Sequence, residues 1–250
     1  MDFGVTFFAI GIPAAIFAGI SKGGFGSGAA FLAGAMLALV VPPGVALGIT
    51  LPVLMAIDLA TLGPYWRRWD WPAARDLILG ALPGVAVAAW LYTVVDADVF
   101  RLLIGTICLL FIAFQIARSR GWLTLGARPV GRGWALVAGA VGGFTSFVSH
   151  AGGPPVAVFL LAKGLGKTAF QATTVLVFWA VNWVKVVPYA FIGIFTADTL
   201  WGSLLLAPFG LIGAWLGVRA HRLMPERAFF ALTYVLLFVT GVRLIWLGLT

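Results

Sequence analysis

The chain has 250 residues, of which 62% are hydrophobic and only 10% are charged. This composition excludes a soluble globular domain and indicates an integral membrane protein, because a helix needs about 20 apolar residues to cross a bilayer. The net charge of +8 would suggest nucleic-acid binding in a soluble protein, but here the basic residues occupy short loops between apolar runs. The single cysteine, Cys108, excludes a disulfide framework and a cysteine zinc site.

The first half of the chain predicts five membrane segments. The opening stretch MDFGVTFF lacks a basic region and a small-residue cleavage site, so we expect a membrane segment to begin at Phe3 rather than a signal peptide. A glycine-rich break, SKGGFGSG, follows the first segment, and the stretch PPG ends the second. The predicted segments are 3–20, 29–41, 45–63, 77–95 and 102–117.

An arginine- and glycine-rich linker, 118–133, separates this half from a second one with the same rhythm. We therefore predict two membrane domains, 1–117 and 134–250. The break in the second half is SHAGGPP, and the predicted segments are 134–148, a short run ending near 162, 169–194, 200–217 and 228–247.

The two halves also match residue by residue. When GVALGITLPVLMAIDLATLGPY is laid on TAFQATTVLVFWAVNWVKVVPY, identical residues coincide at several positions, and Asp58 falls on Asn182. The coinciding pairs include Thr50 with Thr174, Pro64 with Pro188, and Tyr65 with Tyr189. Because each half has an odd number of segments, the second copy is expected to lie upside down in the bilayer.

The charges of corresponding loops favour this inversion. The loop 64–76 is rich in arginine, whereas its counterpart near 196–199 carries only Asp198; the loop near 96–101 is acidic, whereas its counterpart near 219–227 is basic. We expect the basic linker to be cytoplasmic and both termini to lie outside the cytoplasm. The predicted fold is an all-α integral membrane protein of two inverted repeats, with broken helices or helical hairpins meeting near the midplane.

The two glycine-rich breaks are the predicted substrate site. Glycine lets the backbone unwind, serine supplies hydroxyl donors, and the start of the short helix after each break attracts anions. Glycines also serve close helix packing, which we expect of Gly80-x-x-x-Gly84 and Gly213-x-x-x-Gly217. The candidate substrate-binding residues are Ser21, Lys22, Gly23, Gly24, Gly26, Ser27, Ser146, Ser149, His150, Gly152, Gly153 and Lys185.

Four charges lie within apolar segments or their breaks: Lys22, Asp58, Lys185 and Arg243. A charge at this depth requires a cavity or a partner. Lys22 and Lys185 either contact substrate or serve ion pairing or snorkelling, and Arg243 fits snorkelling or helix pairing. Asp58 is either a coupling site for a proton or cation, or a structural partner of one of these lysines.

His150 has three open interpretations: a neutral hydrogen-bond donor, a proton carrier or a structural residue. The sequence does not separate them, because the same imidazole serves all three roles.

At these breaks the sequence resembles the TauE/SafE family of sulfite exporters. The resemblance is carried by AGISKGGFGSGAAF and TLPVLMAIDLATLGPYWRRWDW in the first half and by GGFTSFVSHAGGPPVAVFLLAKGLGKTAFQATTVLVF in the second. It implies a carrier of the bacterial inner membrane that moves sulfite, sulfonates or related sulfur anions. Lys22 and His150 stand where the family commonly has small residues.

Three other functional classes compete with a carrier. An intramembrane hydrolase would use Ser27 as nucleophile and His150 as base, although GFGSG does not match a G-x-S-x-G elbow. A passive anion channel would also use a cationic pathway, and a structural subunit would need no paired breaks. We expect a transporter without enzymatic activity, metal or cofactor, whose partners are a small anion and the lipid bilayer.

Overall fold

The computed structural model describes residues 3–25, 29–122, 131–220 and 226–250, and they form helices with short connections. The ten α-helices of these ranges are α1 (Val5–Ile20), α2 (Leu32–Leu37), α3 (Pro43–Leu62), α4 (Trp71–Val94), α5 (Ala97–Ser119), α6 (Arg132–Ser149), α7 (Gly153–Ala162), α8 (Lys167–Phe191), α9 (Ala197–Ala220) and α10 (Glu226–Leu249). A π-helical turn, Ser21–Phe25, extends α1. Every predicted segment therefore corresponds to one helix.

Seven helical stretches of the described chain are long and apolar enough to cross a membrane. They confirm the predicted class of an all-α, multi-pass membrane protein. The stretches are Val5–Gly24, Pro43–Tyr65, Trp71–Val94, Ala97–Ser119, Lys167–Phe191, Ala197–Arg219 and Ala231–Leu249.

Aspartate caps define where two of these helices begin. The side chain of Asp70 accepts a hydrogen bond of 2.9 Å from the Ala73 N–H at the start of α4. Asp96 accepts the equivalent bond of 2.9 Å from the Val99 N–H at the start of α5. Both caps satisfy amide groups that have no partner within the helix, so α4 and α5 begin at fixed residues.

Helices α6 and α7 form a hairpin whose two ends lie at the same end of the bundle. Arg132, at the start of α6, lies 3.5 Å from the Asp76 carboxylate in the first turns of α4. Lys163, which follows α7, donates a hydrogen bond of 2.7 Å to Asp70 at the start of the same helix. The chain thus enters and leaves at the N-terminal end of α4.

The first half has a corresponding hairpin at the opposite end of the bundle. Phe3, before α1, packs beside Gly202 in the early turns of α9. The chain at 42–45, which follows α2, lines one cavity together with 193–199, the segment that leads into α9. The stretch from 3 to 41 therefore enters and leaves at the N-terminal end of α9.

Most major helix contacts come in pairs, in which corresponding helices of the two halves exchange roles. Helix α1 packs on α9, and α6 packs on α4; α9 also packs on α3, and α4 on α8. The remaining major pairs, α5 with α10 and α3 with α8, join equivalent helices of the two halves. The inverted relation between the two halves stays a prediction.

Glycines set the closest of these helix contacts. A Cβ atom at Gly84 would collide with the Ala140 carbonyl of α6, and one at Gly213 would collide with the Ile16 carbonyl of α1. Both glycines let two backbones approach within the distance that a larger side chain would occupy. The packing role predicted for the two small-residue motifs is confirmed.

Helix α3 occupies the interior of the bundle, and α5 and α10 lie outside it. Two thirds (67%) of the most apolar window of α3 is buried, against 28% in each of α5 and α10. Large apolar side chains such as Leu110 on α5 and Phe238 on α10 are exposed on these outer helices, where lipid replaces protein as the apolar environment. Polar side chains that are buried in the interior consequently lack water as a partner.

The two ends of the bundle carry different charges. The end formed by the start of α4 gathers Arg67, Arg68, Lys163 and Lys167. At the other end, Gly248 packs beside the Asp98 backbone, and Phe3 lies near the start of α9, which carries Asp198. Phe3 and Gly248, close to the two ends of the chain, thus lie at the more acidic end.

We predict that the basic end faces the cytoplasm, because basic loops are retained on that side during insertion. In a Cys108→Ala background, Ala97→Cys at the acidic end should react with an impermeant thiol reagent applied to intact cells. Ser119→Cys, exposed at the C-terminal end of α5, should react only after the membrane is permeabilised. The opposite labelling pattern would reverse the assigned orientation.

Candidate functional site

A buried ion pair between Lys22 and Asp58 forms one side of the candidate site. The π-helical turn Ser21–Phe25 carries Lys22, and Asp58 lies on α3 and is fully buried. The amide of Gln171 donates a hydrogen bond of 3.2 Å to the Lys22 carbonyl and holds this turn against α8. Of the two interpretations of Asp58, the structure shows the ion pair with Lys22, and this contact is compatible with either role.

The first glycine-rich break differs from its predicted form. We expected the backbone of 21–28 to unwind, but its described part, Ser21–Phe25, is a π-helical turn. This turn keeps backbone groups hydrogen-bonded where no water is present, and it widens the helix so that a side chain points out of register. The prediction of an unwound backbone is wrong for this part of the break.

Asn182 is the second partner of the Asp58 carboxylate. Its Nδ2 donates a hydrogen bond of 2.7 Å to Asp58 Oδ2, while Asp58 Oδ1 contacts Lys22. Asp58 and Asn182 coincide when the two halves of the sequence are aligned, and the structure brings them into contact. The repeat alignment contained this signal, but Asn182 was not among the predicted site residues.

Lys185 occupies the other side of the site and has three acceptors. Its Nζ lies 3.1 Å from the Ser146 carbonyl, 3.1 Å from Ser146 Oγ and 2.9 Å from His150 Nδ1. An ammonium group has three N–H donors, and three acceptors match them. Lys185 is fully buried, so this set replaces the water that an ammonium group would otherwise bind.

His150 lies beside Lys185 in the site. Its Nδ1 is 2.9 Å from Lys185 Nζ. Its Nε2 is buried, and the Leu47 backbone of α3 lies near the ring. The imidazole is therefore held between Lys185 and the backbone of α3.

The backbone of His150 adopts a left-handed conformation, with φ of 59° and ψ of 13°. This residue ends α6, and its N–H donates to the Ser146 carbonyl over 2.9 Å. A side chain in this region costs energy, although histidine tolerates it better than most residues, and such positions concentrate at functional sites. The conformation aims the imidazole at the centre of the bundle rather than along α6.

A small cavity joins the two sides of the site. Its volume is about 10 Å³, on the scale of a single water molecule. Lys22, Ser146, His150 and Asn182 supply its polar lining, and three apolar residues supply the rest: Ala30, Leu54 and Phe178. The cavity thus lies between the π-helical turn of the first half and the α6–α7 break of the second.

Aromatic side chains close the path from the cavity to the acidic end. Tyr189 donates a hydrogen bond of 2.9 Å to the Phe147 carbonyl, and the two rings contact edge to face with centroids 4.9 Å apart. Tyr92 lies next to Phe147 and also lines an open cavity of about 290 Å³ at the acidic end. Phe147 and Tyr189 are fully buried beneath it.

An ion pair closes the basic end. Asp70 binds Lys163 over 2.7 Å, and its backbone N–H donates to Thr173 Oγ1 over 2.9 Å. Partial burial opposes the ionisation of Asp70, but the hydrogen bonds from Lys163 and the Ala73 N–H outweigh it and hold the pKa of this carboxyl below its ordinary value. The Asp70 carboxylate is therefore ionised at neutral pH, and its contact with Lys163 ties the α3–α4 connection to the end of α7.

Several predicted site residues lie outside the cavity lining. Gly23 and Gly24 pack against the backbone of α9 at Ala214 and Gly217. The hydroxyl of Ser149 donates to the Thr145 carbonyl over 3.2 Å. Ser21 and Gly153 are buried, Gly152 packs between Phe178 and Ser146, and Arg243 is exposed on α10. Gly26 and Ser27 fall outside the described residues, and so does the pairing of Ser27 with His150.

The N-terminal ends of the two short helices, α2 and α7, offer fewer backbone N–H donors for an anion than expected. Helix α2 has only six residues, and Pro154 and Pro155 at the start of α7 carry no N–H. The polar groups that line the cavity are side chains: an ammonium, a hydroxyl, an imidazole and an amide. The binding role of the helix starts stays a prediction.

The chain belongs to the TauE/SafE family. The family model described as "Sulfite exporter TauE/SafE" matches residues 11–244, which include all ten helices in whole or in part. Comparisons with curated proteins and with solved structures give no match. The family defines a membrane transporter of sulfite or sulfonate type, as the resemblance of the two breaks implied.

The Lys22–Asp58 pair gives a prediction for stability. Lys22→Met should lower the free energy of unfolding by about 3–5 kcal/mol, because it leaves a buried carboxylate without its cation. The double variant Lys22→Met/Asp58→Asn should recover most of this loss, since it removes both charges and keeps an amide opposite Asn182. Lys163→Met, which breaks a partly exposed pair, should cost less than about 1 kcal/mol.

Unfolding of the purified protein in detergent, by denaturant or heat, measures these differences. If Lys22→Met and the double variant lost the same free energy of unfolding, the unpaired Asp58 carboxylate would not be the cause of the loss.

Proposed function

We propose that this protein is a secondary transporter that moves small sulfur oxyanions or sulfonates across the bacterial inner membrane by alternating access. The observation that carries the proposal is the composition of the central site. Two buried lysines, Lys22 and Lys185, face one buried carboxylate, Asp58, and the His150 imidazole. The site therefore gathers two amino groups and an imidazole around a single carboxylate, a composition that an anion would complement.

The two halves, 1–117 and 134–250, act in this proposal as inverted repeats joined by the cytoplasmic linker 118–133. The exchanged helix pairs and the contact between Asp58 and Asn182 support this relation. In transporters of this kind, substrate binds near the midplane where the halves meet, and one half moves against the other. Both termini then face away from the cytoplasm.

Within the site, Lys22 and His150 are the proposed direct ligands of the anion. Both line the cavity, and His150 Nε2 is buried at it. Lys185 and Ser146 hold the imidazole in its orientation, since all three donors of the Lys185 ammonium are engaged with the α6–α7 break. The remaining break residues shape the backbone around them.

The closed cavity corresponds to a state between the outward and inward ones. The aromatic contacts at Phe147 close the acidic end and the Asp70–Lys163 pair closes the basic end, so neither side has access to the centre. Because the cavity holds only about one water, the hairpins must separate on one side to admit an anion. Two closures on opposite sides of a site favour a carrier over a passive channel.

Transport by the purified protein in proteoliposomes tests this proposal. Uptake should saturate with substrate concentration and show counterflow for sulfite or a sulfonate, measured against a panel that also contains thiosulfate, taurine and sulfate. Flux that rises linearly without counterflow would identify a channel. Absence of flux for every anion of the panel would contradict an anion transporter.

Lys22→Ala should weaken the apparent affinity of transport roughly ten- to a hundredfold, because a charge-assisted hydrogen bond in a desolvated site contributes about 1.5–3 kcal/mol. Lys22→Arg should recover part of the loss. Lys167→Ala, which removes an exposed lysine at the basic end, serves as the control. A folded Lys22→Ala protein with wild-type affinity would assign Lys22 to structure alone.

Asp58 is the proposed coupling group if the transporter imports its substrate. An anion entering against the negative interior needs a cation or proton with it, at about 2.3 kcal/mol per charge per 100 mV, whereas export needs none. Protonation of Asp58 would release Lys22 toward the substrate. Asp58→Asn should then abolish the response of uptake to an imposed pH gradient, measured in proteoliposomes. A variant that keeps the wild-type response would remove the coupling role.

A further inference from the structure

The hydroxyl of Thr50, on α3, differs from those of other buried threonines in this bundle. Thr61, Thr173 and Thr174 each donate a hydrogen bond to the carbonyl four residues earlier in their own helix. Thr174 coincides with Thr50 when the two halves of the sequence are aligned, and its bond to the Phe170 carbonyl is 2.8 Å long. Thr50 is 2% exposed, but its Oγ1 has no hydrogen-bond partner among the described residues. Because a buried hydroxyl without a partner costs free energy, the fold alone gives no reason for a threonine here.

This hydroxyl lines a second cavity, distinct from the central one and also about 10 Å³ in volume. Among the described residues that line it, Thr50 has the one polar side chain. The rest of the lining is small or aliphatic and includes Ala15, Ala33 and Val53. A buried water molecule usually makes about three hydrogen bonds, so this lining suits an apolar group with one polar atom better than it suits water.

The second cavity adjoins the central one. Leu54 of α3 lines both, so the two cavities share a wall. A Cβ atom at Gly34 would lie 3.2 Å from His150 Cδ2 and 3.6 Å from Thr50 Oγ1. Gly34 therefore touches both groups, and its missing side chain leaves the Thr50 hydroxyl close to the imidazole that is proposed to bind the anion.

We propose that the second cavity is a subsite for the uncharged organic group of the transported anion, and that the Thr50 hydroxyl bonds a polar atom of this group. The inference rests on the proposed transport function and adds a residue that determines specificity. The anionic end lies at Lys22 and His150, and the organic group occupies the space beyond Leu54 once the hairpins separate and the two cavities join. A sulfonate with a short chain that bears a hydroxyl has this chemistry, whereas sulfite has no group to place there.

The stability of Thr50→Val tests this role without a ligand. Valine has nearly the same shape but no hydroxyl, so the purified variant should unfold at a higher temperature than the wild-type protein. Thr174→Val is the matched control, because it removes a hydroxyl that has a partner, and it should give no such increase. A lower unfolding temperature for Thr50→Val would show that the hydroxyl serves the fold, and it would overturn the inference.

Binding of three anions to the purified protein, measured by calorimetry, tests the subsite itself. Hydroxyethanesulfonate and ethanesulfonate have the same charge and chain length and differ by one hydroxyl, and sulfite has no organic group. The wild-type protein should bind hydroxyethanesulfonate roughly three- to tenfold more tightly than ethanesulfonate, because the latter leaves the Thr50 hydroxyl unpaired. Thr50→Val should abolish this preference, Thr50→Ser should retain it, and Thr174→Val should leave it unchanged.

Ala33→Val narrows the second cavity from α2. It should weaken the binding of both sulfonates by more than that of sulfite, which serves as an internal control for the central site. Equal weakening of all three anions would contradict a subsite at this cavity.

Two further outcomes would overturn the inference: equal binding of the two sulfonates by the wild-type protein, and a preference that persists in folded Thr50→Val protein. Binding of sulfite without either sulfonate would overturn it as well. In each of these cases, saturable transport in proteoliposomes would leave the proposed function standing. If the wild-type protein neither binds nor transports any anion, the proposed function fails, and this inference fails with it.

Discussion

The interaction on which the centre of this molecule depends is the burial of two lysines in an apolar bundle with one carboxylate between the two halves. Lipid surrounds the outer helices, so Lys22, Asp58 and Lys185 have to find all their partners inside the protein. Lys22 obtains Asp58, and Lys185 obtains three neutral acceptors from the α6–α7 break. This requirement links the packing of the hairpins to the chemistry of the site.

The sequence predicted the helices well because hydropathy in a membrane protein reflects the solvent directly. Each apolar run became a helix, because a helix satisfies its own backbone groups in lipid, and the interruption SHAGGPP ends α6 before α7 begins. The described part of SKGGFGSG instead continues α1 as a π-helical turn. The sequence did not predict whether the short segments cross the membrane or turn back as hairpins. Contacts of Arg132 and Lys163 with the start of α4 show that α6 and α7 form a hairpin. A hydropathy pattern carries no information about such contacts.

The sequence predicted the residues of the candidate site better than the contacts between them. Lys22, Ser146, His150 and Lys185 share the cavity or its support, but the sequence left open whether Asp58 would pair with Lys22 or with Lys185. Pairing depends on side-chain distances across three helices, which no local pattern encodes. The left-handed conformation of His150 also escaped prediction, because glycine is the residue expected at such a position.

The aligned halves of the sequence differ where the structure brings them together, at Asp58 and Asn182. A second carboxylate in place of Asn182 would place two negative groups in contact, so an amide that donates to Asp58 resolves the repulsion. The two breaks differ in the same way: the first supplies Lys22 from a π-helical turn, and the second supplies the His150 imidazole held by Lys185. In the proposed transporter, an anion would therefore meet an amino group from one half and an imidazole from the other, so separation of the halves would break two contacts of unequal strength.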